Sequence, residues 1–277
     1  MRMEWRPLNP DRCEPSFGQL ELACSLAVAL GFVFSFIPQF SRILERRYSK
    51  FGVSFFILGI AFTSSTFLNL TLLKLDSLRC CALISSTSCF ISLIPIVLIC
   101  IQWFLFLISL ILLFHLQFFS SHILPPPTRD YRHASTMSVA YVVYLVGFEM
   151  LAALVLRGGE TEQIEYLADV MGVLSLGLVV WQYGDLVWRN WREKAMGPEC
   201  FSMMLTQLPF SLLFSHLLSS QRWSAWLPFF AMGILQALSI LAHTLARLTR
   251  DLSLHESIRL SLLSRKPSME ETRSLLV

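Results

Sequence analysis

The chain has 277 residues, of which 55 % are hydrophobic and only 15 % charged, and its mean hydropathy is +0.59. Soluble domains carry about a quarter charged residues, whereas here 22 phenylalanines outnumber the 19 Asp and Glu residues together. These figures exclude a disordered chain, argue against a soluble enzyme and make a lipid bilayer part of the solvent. The net charge of +3 is spread over short loops, so no nucleic-acid partner is expected.

Residues 1–19 are a mixed-charge leader with Arg2, Glu4, Arg6, Asp11, Arg12 and Glu14. It lacks the basic start and small-residue exit of a signal peptide, so the first apolar run is expected to stay as a membrane helix. A span needs roughly 20 apolar residues. The pattern predicts spans over about Leu20–Ser41, Val53–Leu73, Met137–Leu156, Leu167–Trp188, Phe201–Ser219 and Trp223–Leu245. A basic loop follows the first span, and an acidic loop with Glu160, Glu162 and Glu165 precedes Leu167. A polar tail runs from Arg247.

The stretch Cys80–Ser121 fits either one long helix or two short spans. As a single helix it would extend about 60 Å, twice the hydrocarbon core. Pro95 is its only breaker. Cys81, Ser85, Ser88, Ser92 and Pro95 form a small-residue stripe suited to close helix packing. Lys and Arg counts place the C-terminus in the cytosol for seven or eight spans alike. The seven cysteines are scattered, with Cys80-Cys81 the only close pair, and Cys24, Cys89 and Cys100 read as buried hydrophobes. Neither metal-ligand spacing nor a nucleophile elbow, P-loop or dinucleotide turn is present. No metal, cofactor or enzymatic activity is expected.

Two regions repeat one plan: a hydrophobic helix ends, a short basic loop leads to a glycine, and another hydrophobic helix begins. The first contains Pro38-Gln39, then Arg42, Arg46, Arg47, Ser49 and Gly52-Val53-Ser54. The second contains Gln182-Tyr183-Gly184-Asp185, then Trp191, Lys194 and Gly197. Internal repeats of this kind constrain the fold before any other signal. The first region resembles the PQ-loop motif of the PQ-loop repeat family of membrane proteins, and the second resembles a degenerate copy, as in fungal members. Phe67-x-Asn69, Gln102-Trp103 and Gln207-x-Pro209 are further points of similarity.

The resemblance implies an all-α integral membrane fold of seven transmembrane helices, arranged as two parallel three-helix bundles joined by a linking helix. The first repeat would cover residues 20–122 and the second 167–246. Residues 123–166 would hold the linking helix and 247–277 a cytosolic tail. Both motif loops must then face one side, which favours seven spans over eight, with a lumenal N-terminus.

Proline inside a helix removes one hydrogen bond and crowds the carbonyl four residues back. Pro38 therefore predicts a kink, static or hinging, and Gln39 is placed to donate to the freed carbonyl. In a repeat-built transporter such breaks let one bundle rock on the other. Asp185 replaces proline in the second motif and is either a functional acid or an ion-pair partner of Arg189 on one helix face. Glu149, midway along the fourth span, is a candidate coupling-proton site. Asn69, Gln207, Pro209 and Gln236 are candidate solute-site residues. Ser65 with Asn69, Gln182 with Asp185, and Gln236 with Ser239 and His243 are expected to share helix faces. Glu271, Leu275 and Leu276 resemble an acidic dileucine signal for a cytosolic sorting adaptor, with delivery to a vacuolar or lysosomal membrane. The expectation is a transporter of small polar solutes, amino acids above all, with proton coupling. The alternative is a non-transporting receptor or trafficking factor on the same fold.

Overall fold

The structure, a computed structural model, describes residues 19–46, 53–81, 86–120, several positions between 136 and 153, 161–193 and 198–264. Among these the regular elements are all helical: α1 (Gln19–Arg46), α2 (Val53–Leu73), α3 (Leu75–Cys80), α4 (Ser86–Ser120), α5 (Thr161–Glu193), α6 (Pro198–Leu217) and α7 (Trp223–Ser264). Five of them (α1, α2, α4, α5 and α7) are long and apolar enough to cross a membrane. Their outward faces carry exposed Leu26, Phe34, Phe104, Trp181 and Leu241, which suits lipid rather than water. α6 is diluted by Thr206, Gln207, Ser211, Ser215 and His216.

Chemistry that favours helix in lipid explains where the sequence reading falls short. The 80–121 stretch contains one long helix, not two spans, and Pro95 lies inside it. A proline removes a single hydrogen bond, whereas ending the helix in lipid would leave a whole turn of carbonyls unpaired. At 35 residues α4 is about 52 Å long and overreaches the hydrocarbon core. α5 begins at Thr161, so Glu162 and Glu165 sit in its first turns, where the helix dipole favours acids. α7 continues to Ser264, through the region expected to be tail. Cys89 is not a buried hydrophobe: it forms a disulfide with Cys81, Cα–Cα 5.0 Å, joining the α3 end to α4. Cys80 is also disulfide-bonded.

The long helices close a ring. α1 packs on α4 and α6, α2 on α4 and α5, and α7 on α5 and α6, while α2 and α7 touch across it. Glycines sit where the ring is tightest. A Cβ on Gly59 (α2) would lie 2.7 Å from Phe106 (α4) and 2.9 Å from Gln182 (α5). One on Gly172 (α5) would lie 2.8 Å from Cα of Ser224 (α7). Only a residue without Cβ leaves room for those side chains at Gly59 and for the Ser224 backbone at Gly172. Asn69 Nδ2 donates to the Ser224 carbonyl at 2.8 Å, and Thr66 Oγ1 donates to Ser175 Oγ at 3.2 Å. These bonds tie α2 to α7 and α5 at the same end. There Arg222 also bridges Glu165 and Asp169, the latter at 2.8 Å.

Two outcomes are expected. Gly172→Val should lower the detergent-solubilised melting midpoint, because backbone atoms of Ser224 must move and overpacking costs about 1–3 kcal/mol. Gly177→Ala on the same helix meets open space and should leave the midpoint unchanged. Burial also holds the Lys74 amine below its ordinary value of 10.5, against the opposing pull of Glu21. The folded state thus disfavours the charged amine, and stability should rise as pH climbs through the lowered value toward 10.5. Lys74→Met should flatten that rise in a melting-versus-pH series.

Candidate functional site

Four buried phenylalanines from four helices meet edge to face inside the ring. Phe32 (α1) touches Phe214 (α6) at 6.2 Å between centroids, Phe214 touches Phe229 (α7) at 4.6 Å, and Phe229 touches Phe62 (α2) at 5.6 Å. This belt seals the interior with apolar surface.

Seven residues from the phenylalanine on each of three of these helices stands a glutamine: Gln39 after it on α1, Gln236 after it on α7 and Gln207 before it on α6. Seven residues are two turns less about 20°, a rise of about 10 Å on the same face. On α2 the matching residue is Phe55, whose carbonyl accepts from Gln182 Nε2 of α5 at 3.0 Å. A polar layer is thereby stacked on the aromatic belt. Its members, Gln39, Gln182, Tyr183, Gln207 and Gln236, are each at most 2 % exposed. Gln236 Nε2 donates to Gln207 Oε1 at 3.0 Å and to Tyr183 Oη at 3.3 Å. Ser211 Oγ donates to Gln236 Oε1 at 3.1 Å, and Tyr183 Oη reaches Gln207 Oε1 at 3.4 Å. On the α4 side, Phe106 closes the wall against Phe36 and Phe55, and Phe55 packs on the Tyr183 ring.

The layer is polar beyond its own needs. Both amide atoms of Gln39, Gln182 Oε1 and Gln207 Nε2 are buried without a hydrogen-bond partner among the described residues, as are both amide atoms of Gln102 on α4. An unpaired buried polar group costs about 1–3 kcal/mol, and lipid supplies no water to relieve it. No Asp, Glu, Lys or Arg is fully buried among the described residues.

Several predicted site residues lie elsewhere. Pro38 is half-buried within an unbroken α1. Gln39 does not satisfy the carbonyl freed by Pro38, because its amide has no partner and is buried in the ring. Asn69 serves the α2–α7 junction, about 10 Å beyond the belt on the side away from the glutamines. Pro209 is exposed on the outside of α6, and Asp185 is exposed while Gln182 is buried, so those two do not share an environment. Gln236, Ser239 and His243 do share a buried face of α7, with His243 tilted against Phe201 at 5.1 Å. Gly52, Glu149, Gly197, Glu271, Leu275 and Leu276 lie outside the described residues.

A second polar cluster was missed. Trp103 Nε1 donates to Ser64 Oγ at 3.0 Å, Ser64 bonds the Tyr141 hydroxyl at 3.0 Å, and Ser65 bonds the Tyr144 hydroxyl at 2.8 Å. Beside it is a cavity of about 370 Å³ on the outer flank of α2 and α4, walled by Phe67, Ile99 and Phe104. Its polar atoms are mutually bonded, so the cluster docks the 139–144 helical stretch. The sequence does carry a signal for the belt and layer: Phe32 and Gln39, Phe229 and Gln236, and in reverse Gln207 and Phe214, share a seven-residue spacing. Compared with known proteins, the chain matches no protein-family model and no characterised relative.

The paired and unpaired amides should respond oppositely to removal. Gln236→Leu removes three hydrogen bonds of the layer, leaving Gln207 and Tyr183 only their mutual 3.4 Å contact, and should lower the melting midpoint. Gln39→Leu removes an amide that has no partner and should leave the midpoint unchanged or raise it.

Proposed function

We propose that the chain is a multi-pass transporter of small polar solutes in a vacuolar or lysosomal type of membrane. The observation that carries this reading is the layer of buried amides with unpaired donors and acceptors at the centre of the ring. Polar groups held in lipid without partners are expensive and are retained where a polar guest supplies the missing bonds. The belt of phenylalanines on one side would then act as a seal.

In the proposed architecture, seven helices form two parallel three-helix bundles, α1–α2–α4 and α5–α6–α7, with the 139–144 stretch belonging to the linking helix. The pattern of contacts supports it. Exchanging α1 with α5, α2 with α6 and α4 with α7 maps every pair in the ring onto another pair in the ring, as a pseudo-two-fold repeat requires. The Cys81–Cys89 disulfide supports a lumenal or external position for the α3–α4 end, since such bonds persist in oxidising compartments. That position agrees with a cytosolic Pro-Gln loop and C-terminus. Amino acids lead the candidate solutes through the PQ-loop resemblance alone.

A second reading, a non-transporting receptor on the same bundle, is favoured by one feature. α5 runs through Gly184-Asp185 without a proline, whereas α1 carries Pro38 inside its helix, so the second motif lacks the proline of the first. Uptake into proteoliposomes distinguishes the two. With a proton gradient and a panel of radiolabelled amino acids and uncharged polar solutes, the transporter reading predicts saturable uptake that Pro38→Ala slows several-fold at unchanged folded yield. No uptake of any solute above empty vesicles contradicts it.

A further inference from the structure

We infer that the glutamine layer selects an uncharged polyhydroxyl solute and rejects amino-acid zwitterions. This rests on the transporter reading and narrows its substrate class. Its basis is the chemistry of the layer. All five side chains, Gln39, Gln182, Tyr183, Gln207 and Gln236, are neutral, as are their neighbours Ser211 and Ser239.

A zwitterion entering this layer would bring an ammonium and a carboxylate among side chains that offer neither opposite charge, since the titratable group on the same face of α7, His243, stands seven residues and about 10 Å from Gln236, against Phe201. Burying each charge without a counter-charge costs far more than a neutral hydrogen bond returns. Among the described residues, the acid nearest along the chain is Asp185, which is exposed on the outside of α5, and Glu45 is exposed at the end of α1. Neither replaces a buried partner.

The unpaired atoms specify what does fit. Among the described residues, Gln39 Nε2 and Gln207 Nε2 are donors without a partner, and Gln39 Oε1 and Gln182 Oε1 are acceptors without one. A hydroxyl both donates and accepts. Two adjacent hydroxyls can therefore satisfy the donor and acceptor of one carboxamide together, and a molecule with several can span Gln39 and Gln207 from one bundle to the other. The cluster of Phe36, Phe55 and Phe106 beside Tyr183 makes the flank of the layer apolar, which suits the C–H surface of such a solute. Selectivity of this kind is sharp, because a site built to hydrogen-bond leaves its own groups unpaired when the wrong solute enters.

The test uses the full-length protein in detergent and in proteoliposomes, with myo-inositol and glucose as polyol probes and alanine and glutamine as zwitterion probes. The expected result is a rise of several degrees in melting midpoint with a polyol and none with either amino acid. Uptake of labelled polyol should be competed by unlabelled polyol and not by amino acids, and Gln39→Leu should abolish the polyol-induced shift while keeping its own melting transition. The wild-type competition needs no variant, so a misfolded Gln39→Leu does not spoil the test. Amino-acid uptake without any polyol effect would overturn this inference and leave the transporter reading standing. Absence of both shift and uptake for every probe would overturn both.

Discussion

The structure is governed by one constraint: in lipid, a polar group that the protein does not satisfy goes unsatisfied. Helix formation meets that demand for the backbone, which is why α4 runs through Pro95 and α1 through Pro38. Side chains meet it in two ways. At one end of the ring Asn69 Nδ2 bonds the Ser224 carbonyl and Thr66 bonds Ser175, while Asn69 Oδ1 and Ser224 Oγ keep no partner among the described residues. At the glutamine layer the unpaired atoms gather from several helices, and under the proposed function they would bond a polar guest.

This division assigns different work to the two ends. The Asn69 end is also where Gly172 lets α5 and α7 touch and where Arg222 holds two acids of α5. The exposed ion pairs there contribute little individually, so close packing and the buried bonds provide most of the anchorage. The phenylalanine belt lies between this anchor and the amides.

Five of the expected spans were legible from apolar length. Val53–Leu73 was read to the residue because polar loops bound it on both sides. The ends of α5 and α7 were not, since Glu162 and the residues after Arg247 are compatible with helix as well as loop, and tertiary context decides. Of the site, Gln182, Tyr183, Gln207, Gln236 and Gln39 were legible as polar residues in apolar runs. Their convergence was not, because periodicity within one helix says nothing about the angle between helices. The same limit explains why Asn69 and Pro209 were grouped with them: each is polar or kinking in the right kind of segment, and only the ring contacts show one serving a junction and the other facing out. The Cys81–Cys89 bond was hidden by reading its residues as part of a single helix.

The most direct measurement of the central claim is a cryo-electron microscopy map of the protein in lipid nanodiscs, at a resolution that shows ordered water. The account predicts water or solute density within hydrogen-bonding distance of the Gln39 and Gln207 amides, bounded by the belt of Phe32, Phe62, Phe214 and Phe229. A map in which those amides bond only to protein, or turn outward from the ring with no density between them, would contradict it.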